Sequence, residues 1–163
     1  MGYGFQNYQP DRMARASTDS APVSTRHSIE IASLLRQKDL QKAKKILERV
    51  LELKQPVPFN RFDKGMGHKH GMAAGSYPIK AGAIFLTLLN SVEANAQSRG
   101  LNANNLTIVH IEANKAGNRR HGGRHGGRVM KRSHIEVVVA ESEAKPTEKK
   151  SRAKPAEKTE GTA

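Results

Sequence analysis

Hydrophobic positions along this chain predict three helices and two or three strands. The steadiest stretch lies between Pro78 and Gly100, where Ala81, Ile84, Phe85, Leu88, Leu89, Val92 and Ala96 recur at i, i+3, i+4 and i+7. That spacing lines up one face of an α-helix. A first-turn proline loses no helical hydrogen bond, and a closing glycine accepts the left-handed C-terminal cap, so Pro78 and Gly100 bracket the element. A second helix follows Asp39, with Leu40, Ala43, Ile46, Leu47, Val50 and Leu51 on one side and Lys42, Lys45 and Arg49 on the others; it must stop before Pro56-Val57-Pro58. Another begins after Ser24, a plausible N-cap, with Ile31, Leu34 and Leu35 on one face.

Two runs read as strands instead. Leu106–Glu112 and His134–Val139 are rich in β-branched residues, and Ile135, Val137 and Val139 share one face of the second. Arg12 to Val23 is compatible with an edge strand or an extended arm, Pro22 limiting its pairing. Met1–Pro10 shows no period. The economical assembly is α+β: three helices packed on a small antiparallel sheet.

Charge changes this picture. The 163 residues carry 28 Lys+Arg against 15 Asp+Glu, a formal net charge of +13. From Glu141 to Ala163 there are six cations and five Glu with no apolar side chain larger than Ala, so this tail is expected to be disordered. Residues 1–140, read as a single domain, hold 22 cations against 10 acids. The excess positive charge therefore belongs to the body. A balance that basic points to a polyanionic partner.

The charge is densest between the two strands. Lys115 to Arg132 contains seven Lys/Arg, two His and five Gly, and no acid. If the strands form a hairpin over 106–139, its midpoint falls near Gly122 and its tip spans about 119–128. Each leg from Asn105 is then about 17 residues, or roughly 55 Å at ~3.3 Å per residue. A globule of about 120 residues has a radius of gyration near ~14 Å, so such an arm protrudes. Its residue types favour nucleic acid. Arginine offers a planar fork for phosphate, and glycine permits close backbone approach. A membrane-active segment would set its cations against an apolar face, and this arm has only Val129 and Met130. The expected contacts are Lys115, Arg119, Arg120, His121, Arg124, His125, Arg128, Lys131 and Arg132. A second basic, glycine-rich stretch, residues 60–77, offers Arg61, Lys64, His68, Lys69 and His70. Phe59, Phe62 and Tyr77 are too scattered for a base-stacking sheet, so folded RNA is favoured over single strands.

Other chemistry finds little footing. With no cysteine, disulfides, thiolate metal sites and cysteine nucleophiles are excluded. His68/His70 and His121/His125, with His134 nearby, are passably spaced for a metal, but each pair sits among cations, and no metal or cofactor is expected. Gly65-Met-Gly67 and Gly71–Ser76 lack the phosphate-loop pattern, and His27 beside Ser24 and Ser28 has no acid partner. Glu112 and Glu136 read as strand positions that pair with the arm's cations. No apolar run approaches the ~20 residues of a membrane helix. The default is a soluble intracellular protein without catalysis.

Several segments together carry a resemblance. Ser28–Arg36, Gln55-Pro-Val-Pro-Phe59, Gly65-Met-Gly-His-Lys69, Gly75-Ser-Tyr-Pro78, Ser91-Val-Glu-Ala-Asn95, His110–Ala116 and Ser133-His-Ile-Glu136 occur in order over residues 20–140. In these the chain resembles the universal large-subunit ribosomal protein family called L-twenty-two in bacteria and archaea and L-seventeen in eukaryotes. The long segment from Pro56 to Pro78 is similar to the archaeal and eukaryotic branch. The resemblance implies three helices on a small sheet, sitting near the exit of the nascent-peptide tunnel and contacting large-subunit (23S-type) rRNA and neighbouring ribosomal proteins. It also implies that the basic hairpin lines the tunnel wall, its tip beside the nascent polypeptide. Relatives of that branch usually have a bulkier tip; here it is Arg-His-Gly-Gly twice, Arg120–Gly127. The alternative class is a free-standing nucleic-acid chaperone or architectural binder.

Overall fold

A strand's backbone N–H and C=O groups are all paired only when it has neighbours on both edges, and the last strand of this chain takes that central place. The computed structural model describes residues 4–142. Among them, in chain order, come β1 (Met13–Ala21), α1 (Thr25–Leu35), α2 (Leu40–Leu51), β2 (Val57–Pro58), β3 (His68–Lys69), β4 (Met72–Ser76) and α3 (Ile79–Ser98). Then follow β5 (Leu106–Lys115), β6 (Arg119–Arg120), β7 (Val129–Met130) and β8 (Ser133–Glu141). The main sheet has the order β1-β8-β5 and is antiparallel throughout. The α+β reading is thus borne out. Arg12–Val23, which the sequence left open between edge strand and arm, supplies the edge strand. The expected disordered tail lies, from residue 143 on, outside the described residues. β8 runs to Glu141, whose N–H donates to Arg12 O, and Ser142 N–H donates to Asn105 O, both at 2.9 Å.

Ile135, Val137 and Val139 of β8 turn inward and are buried, as their alternation predicts. β5 does not alternate evenly. Leu106 and Ile108 are buried, then Ile111 and Ala113, because Val109 is an extra residue opposite the Ile108↔Val139 and His110↔Val138 pairs. Such a bulge flips side-chain parity. Val109 is left exposed, and His110 is moved to the outer face.

All three helices cover the inner face. α1 packs on β5, α3 on β1, and α2 against α3. The buried residues of β1, Ala14, Ala16 and Ala21, are all small, which lets α3 come close enough for Asn95 Nδ2 to donate to Arg15 O at 3.0 Å. Phe85, Leu88, Leu89, Val92 and Ala96 of α3 are buried; Ile84, Leu34, Ile46 and Leu51 stop at half-burial along the rims of their stripes. α3 ends as predicted. Gly100 has φ +77°, Gly100 N–H donates to Gln97 O and Leu101 N–H to Ala96 O. This is the two-bond closure that needs a left-handed residue there. Ser24 and Asp39 do occupy the N-cap positions, but neither side chain caps. Asp39 instead meets Lys42 Nζ at 2.6 Å.

A second antiparallel sheet, order β2-β4-β3, forms within 57–76, where only a loop was expected. β2 and β3 have two residues each, too few to leave a period in sequence, and β4, Met-Ala-Ala-Gly-Ser, has small residues where a strand would show large apolar ones.

Phe85 has no exposed surface and belongs to α3, the helix that packs against both α2 and the main sheet. Phe85→Ala should therefore lower unfolding free energy by about 3–5 kcal/mol, read from urea denaturation.

Candidate nucleic-acid interface

The arm grows directly out of the core sheet. The β5–β8 ladder reaches Lys115↔Ser133, and Ala116 N–H donates to Arg132 O at 3.1 Å. Beyond it Arg119 pairs with Met130 and Arg120 with Val129, and His121 N–H donates to Arg128 O. A 3-10 turn over Gly123–His125 closes the end, Gly123 taking φ +62°. The apex therefore lies at Arg124–His125 rather than near Gly122. Part of this comes from β8 running on to Glu141, which pairs with Leu106, and part from two register shifts that each place an extra residue on the outgoing strand: the Val109 bulge and a second slip between Lys115↔Ser133 and Arg119↔Met130.

From Gly117 to Val129 every residue except Gly126 is exposed. Lys115 and Lys131 are exposed as well. Among the described residues no carboxylate forms an ion pair with Lys115, Arg119, Arg120, Arg124, Arg128 or Lys131. Arg132 stands apart. It is half-buried, and its Nη1 donates to Ser20 O at 2.9 Å, tying the root of the arm to a bulge in β1 where Ser20 has φ +51°.

The second basic stretch hangs on a residue that nothing in the hydrophobic or charge pattern singles out. Glu30, on the buried side of α1, is only 3% exposed. Its carboxylate accepts the backbone N–H groups of Arg61 and Phe62 at 2.9 Å and of Asn60 at 3.4 Å. A charge taken out of water must be matched by such donors. Here it shapes the loop and leaves Arg61, Lys64, His68, Lys69 and His70 exposed. Arg26 and Arg61 lie over the Phe62 ring, and Lys69 over Tyr77. No described aromatic residue is exposed, so no stacking platform forms.

The fold brings loop and arm together around the first turn of α1. One cleft there is lined by Arg26, Phe62, Lys115, Asn118, Lys131 and Arg132. A larger one beside it adds His27, Lys80 and His121. Arg26, His27 and Lys80 were not singled out as contacts from sequence; they sit inside helical patterns and look like ordinary solvated positions. The His27 pKa lies below its usual 6.5, because burial disfavours the imidazolium and Lys131 repels it.

The acids face elsewhere. Glu112 and Glu136, expected to pair with the arm's cations, are direct cross-strand partners on the outer face of the sheet. Two carboxylates so placed repel. His110 lies against both, with Nε2 2.9 Å from Glu136 and 3.5 Å from Glu112, and Gly4 N–H donates to Glu136 at 3.1 Å. The Phe5 ring covers His110. Among the described residues this trio is the one group with ligand atoms close enough for a metal ion, all within 4.8 Å. Both Glu136 oxygens already accept from the Gly4 N–H of the N-terminal segment. The histidine pairs weighed from sequence gather no such set. His134 turns to Asp19 and the Ser20 N–H of β1 instead of toward the arm tip.

Two outcomes test this arrangement. Glu30→Ala leaves three partly buried amide groups without their acceptor and should cost about 2 kcal/mol. Hydrogen exchange at residues 60–62 should accelerate while the α3 amides stay protected. For His27, the unfolded chain binds the proton more readily than the folded one. Stability is then complete above pH 6.5 and falls as pH drops below it. Thermal unfolding of His27→Gln should lose that part of the decline between about pH 7 and pH 5.

Residues 16–140 match the model of the family described as ribosomal protein L22p/L17e. The large ribosomal subunit protein uL22 of Ignicoccus hospitalis is 39% identical over 145 residues, covering 82% of this chain and 91% of the relative. Its namesake in Staphylothermus marinus is 37% identical over 150 residues, covering 85% and 96%. That of Methanoculleus marisnigri is 40% identical over 139 residues, covering 80% and 91%. With its basic arm, its three helices on an antiparallel sheet and this match over most of its length, the chain belongs to the ribosomal protein L22p/L17e family.

Proposed function

We propose that the protein is a structural constituent of the large ribosomal subunit in the cytoplasm, and that it works by presenting unneutralised cations to rRNA. The observation that carries this reading is the exposed, acid-free ribbon whose cations lack ion-pair partners within the described chain. Successive strand residues point to opposite faces, so Arg119 and Arg120 project to the two sides of the ribbon. A ribbon charged on both sides suits enclosure by folded RNA better than contact along one flank. Lys115, Arg124, Arg128 and Lys131 extend the same phosphate-binding surface, and His121 and His125 flank its apex. Arg61, Lys64, His68, Lys69 and His70 give a second, separately anchored contact. Holding two rRNA segments at a fixed separation is the contribution such a protein makes to subunit assembly.

In this reading the helices and main sheet lie near the exit of the nascent-peptide tunnel, beside neighbouring ribosomal proteins. The arm lines the tunnel wall, with its glycine-rich apex nearest the passing chain. The family match and the length of the exposed ribbon support that placement.

If about five arm cations neutralise phosphates, log K for an rRNA fragment should fall with log[salt] at a slope of roughly −4. Arg119→Ala with Arg120→Ala and Arg124→Ala should reduce that slope to about −2 and leave the melting temperature unchanged. A salt-independent wild type, or a variant that melts early, would contradict the reading. Co-sedimentation with large subunits through a high-salt sucrose gradient is expected; protein left free or on the nucleoid would favour the chaperone alternative.

A further inference from the structure

The larger cleft, about 680 Å³, opens between the arm and the first turns of α1 and α3. Its volume falls in the range that holds a nucleotide-sized ligand, roughly 300–1,000 Å³. Two kinds of lining meet there. Lys80, Lys131 and Arg132 are cationic, and among the described residues no carboxylate lines the cleft. The rest is largely apolar. Four large apolar side chains are exposed among the described residues, Leu53, Ile79, Val109 and Val129, and two of them line this one cleft. Ile79 is 47% exposed on the first turn of α3, and Val129 is 50% exposed on the arm. Tyr77 and Met130 adjoin them.

A run of phosphates would use the cations and leave the apolar residues unmatched. An RNA duplex offers sugar and phosphate edges with no apolar face. An unstacked base offers a flat apolar face attached to an anion. We propose that this cleft receives one unpaired nucleotide of large-subunit rRNA, its base against Tyr77, Ile79, Val129 and Met130 and its phosphates on Lys80, Lys131 and Arg132. His27 lines the same cleft. Its lowered pKa keeps it neutral near pH 7, with one ring nitrogen donating and the other accepting at a base edge. The inference rests on the rRNA-binding reading and names where one base leaves its stack.

The test uses the full chain and an in vitro transcript of the large-subunit rRNA. Ile79→Ser with Val129→Ser should weaken binding about tenfold and leave the salt slope unchanged, since no phosphate contact is removed. Both side chains are half exposed, so the melting curve should match wild type. Ultraviolet cross-linking of the wild-type complex should join a cleft peptide containing Tyr77 or Met130 to a nucleotide that is unpaired in the rRNA. Wild-type affinity in the double variant, with the salt slope still steep, overturns the cleft proposal while the rRNA reading stands. A cross-link to a paired nucleotide, or in assembled subunits only to another protein, overturns it too. Absence of salt-dependent binding by the wild type removes the rRNA reading itself.

Discussion

Seven like charges strung along Lys115–Arg132 repel one another, and no carboxylate within the segment offsets them. At about 7 Å in water each neighbouring pair costs roughly 0.6 kcal/mol. A two-stranded ribbon alone is marginal in water even without that burden. What holds the arm in shape is its root. β5 and β8 are the same strands that carry Ile108, Ile111, Ile135, Val137 and Val139 into the core, all with at most 1% exposure. The ladder passes from buried sheet to exposed ribbon, so burial at one end anchors charge at the other.

The acids of the body are arranged to the same end. Glu30 gathers the amides of the basic loop, and Glu93 accepts from Gln41 and Lys44 to bind α2 to α3. Glu136 holds Gly4 and His110 on the outer sheet face, and Asp19 meets His134. Each of these carboxylates is engaged in internal positioning, on surfaces other than the clefts beside the arm. Positive charge on the interface side is left uncompensated within the described residues, which favours an outside polyanion over self-association.

Where burial follows a period, the sequence was legible. The seven apolar positions of α3 and the inward residues of β8 could be read directly, because one helical stripe or one strand face decides them. Events that break a period were not. The Val109 bulge turns His110 outward toward Glu112 and Glu136, and nothing in Leu-Thr-Ile-Val-His-Ile-Glu marks which residue will be extra. Glu30 follows Ile29 in a helical run and reads as a solvated position; only the three-dimensional arrival of residues 60–62 makes it a buried anchor. The site was half legible for a related reason. Clustered cations on the arm are visible as composition, whereas Arg26, His27 and Lys80 join them only through packing.

The bulges that hid these features from sequence also aim the arm. A bulge sharpens local twist and bends its strand. β8 is flanked by one on each side, at Val109 in β5 and near Ser20 in β1. Arg132 spans from the arm's root to Ser20 O, and the Ser20 N–H donates to His134 Nδ1, so the second bulge is clamped by two residues of the arm's returning leg. Ser20 holds a left-handed φ of +51°, which a non-glycine residue keeps only where its surroundings fix it. An arm that enters folded RNA, as proposed, must leave the body in one direction, since an error at the root is magnified along its length. Core burial gives this arm its stability; the clamped bulges give it its bearing.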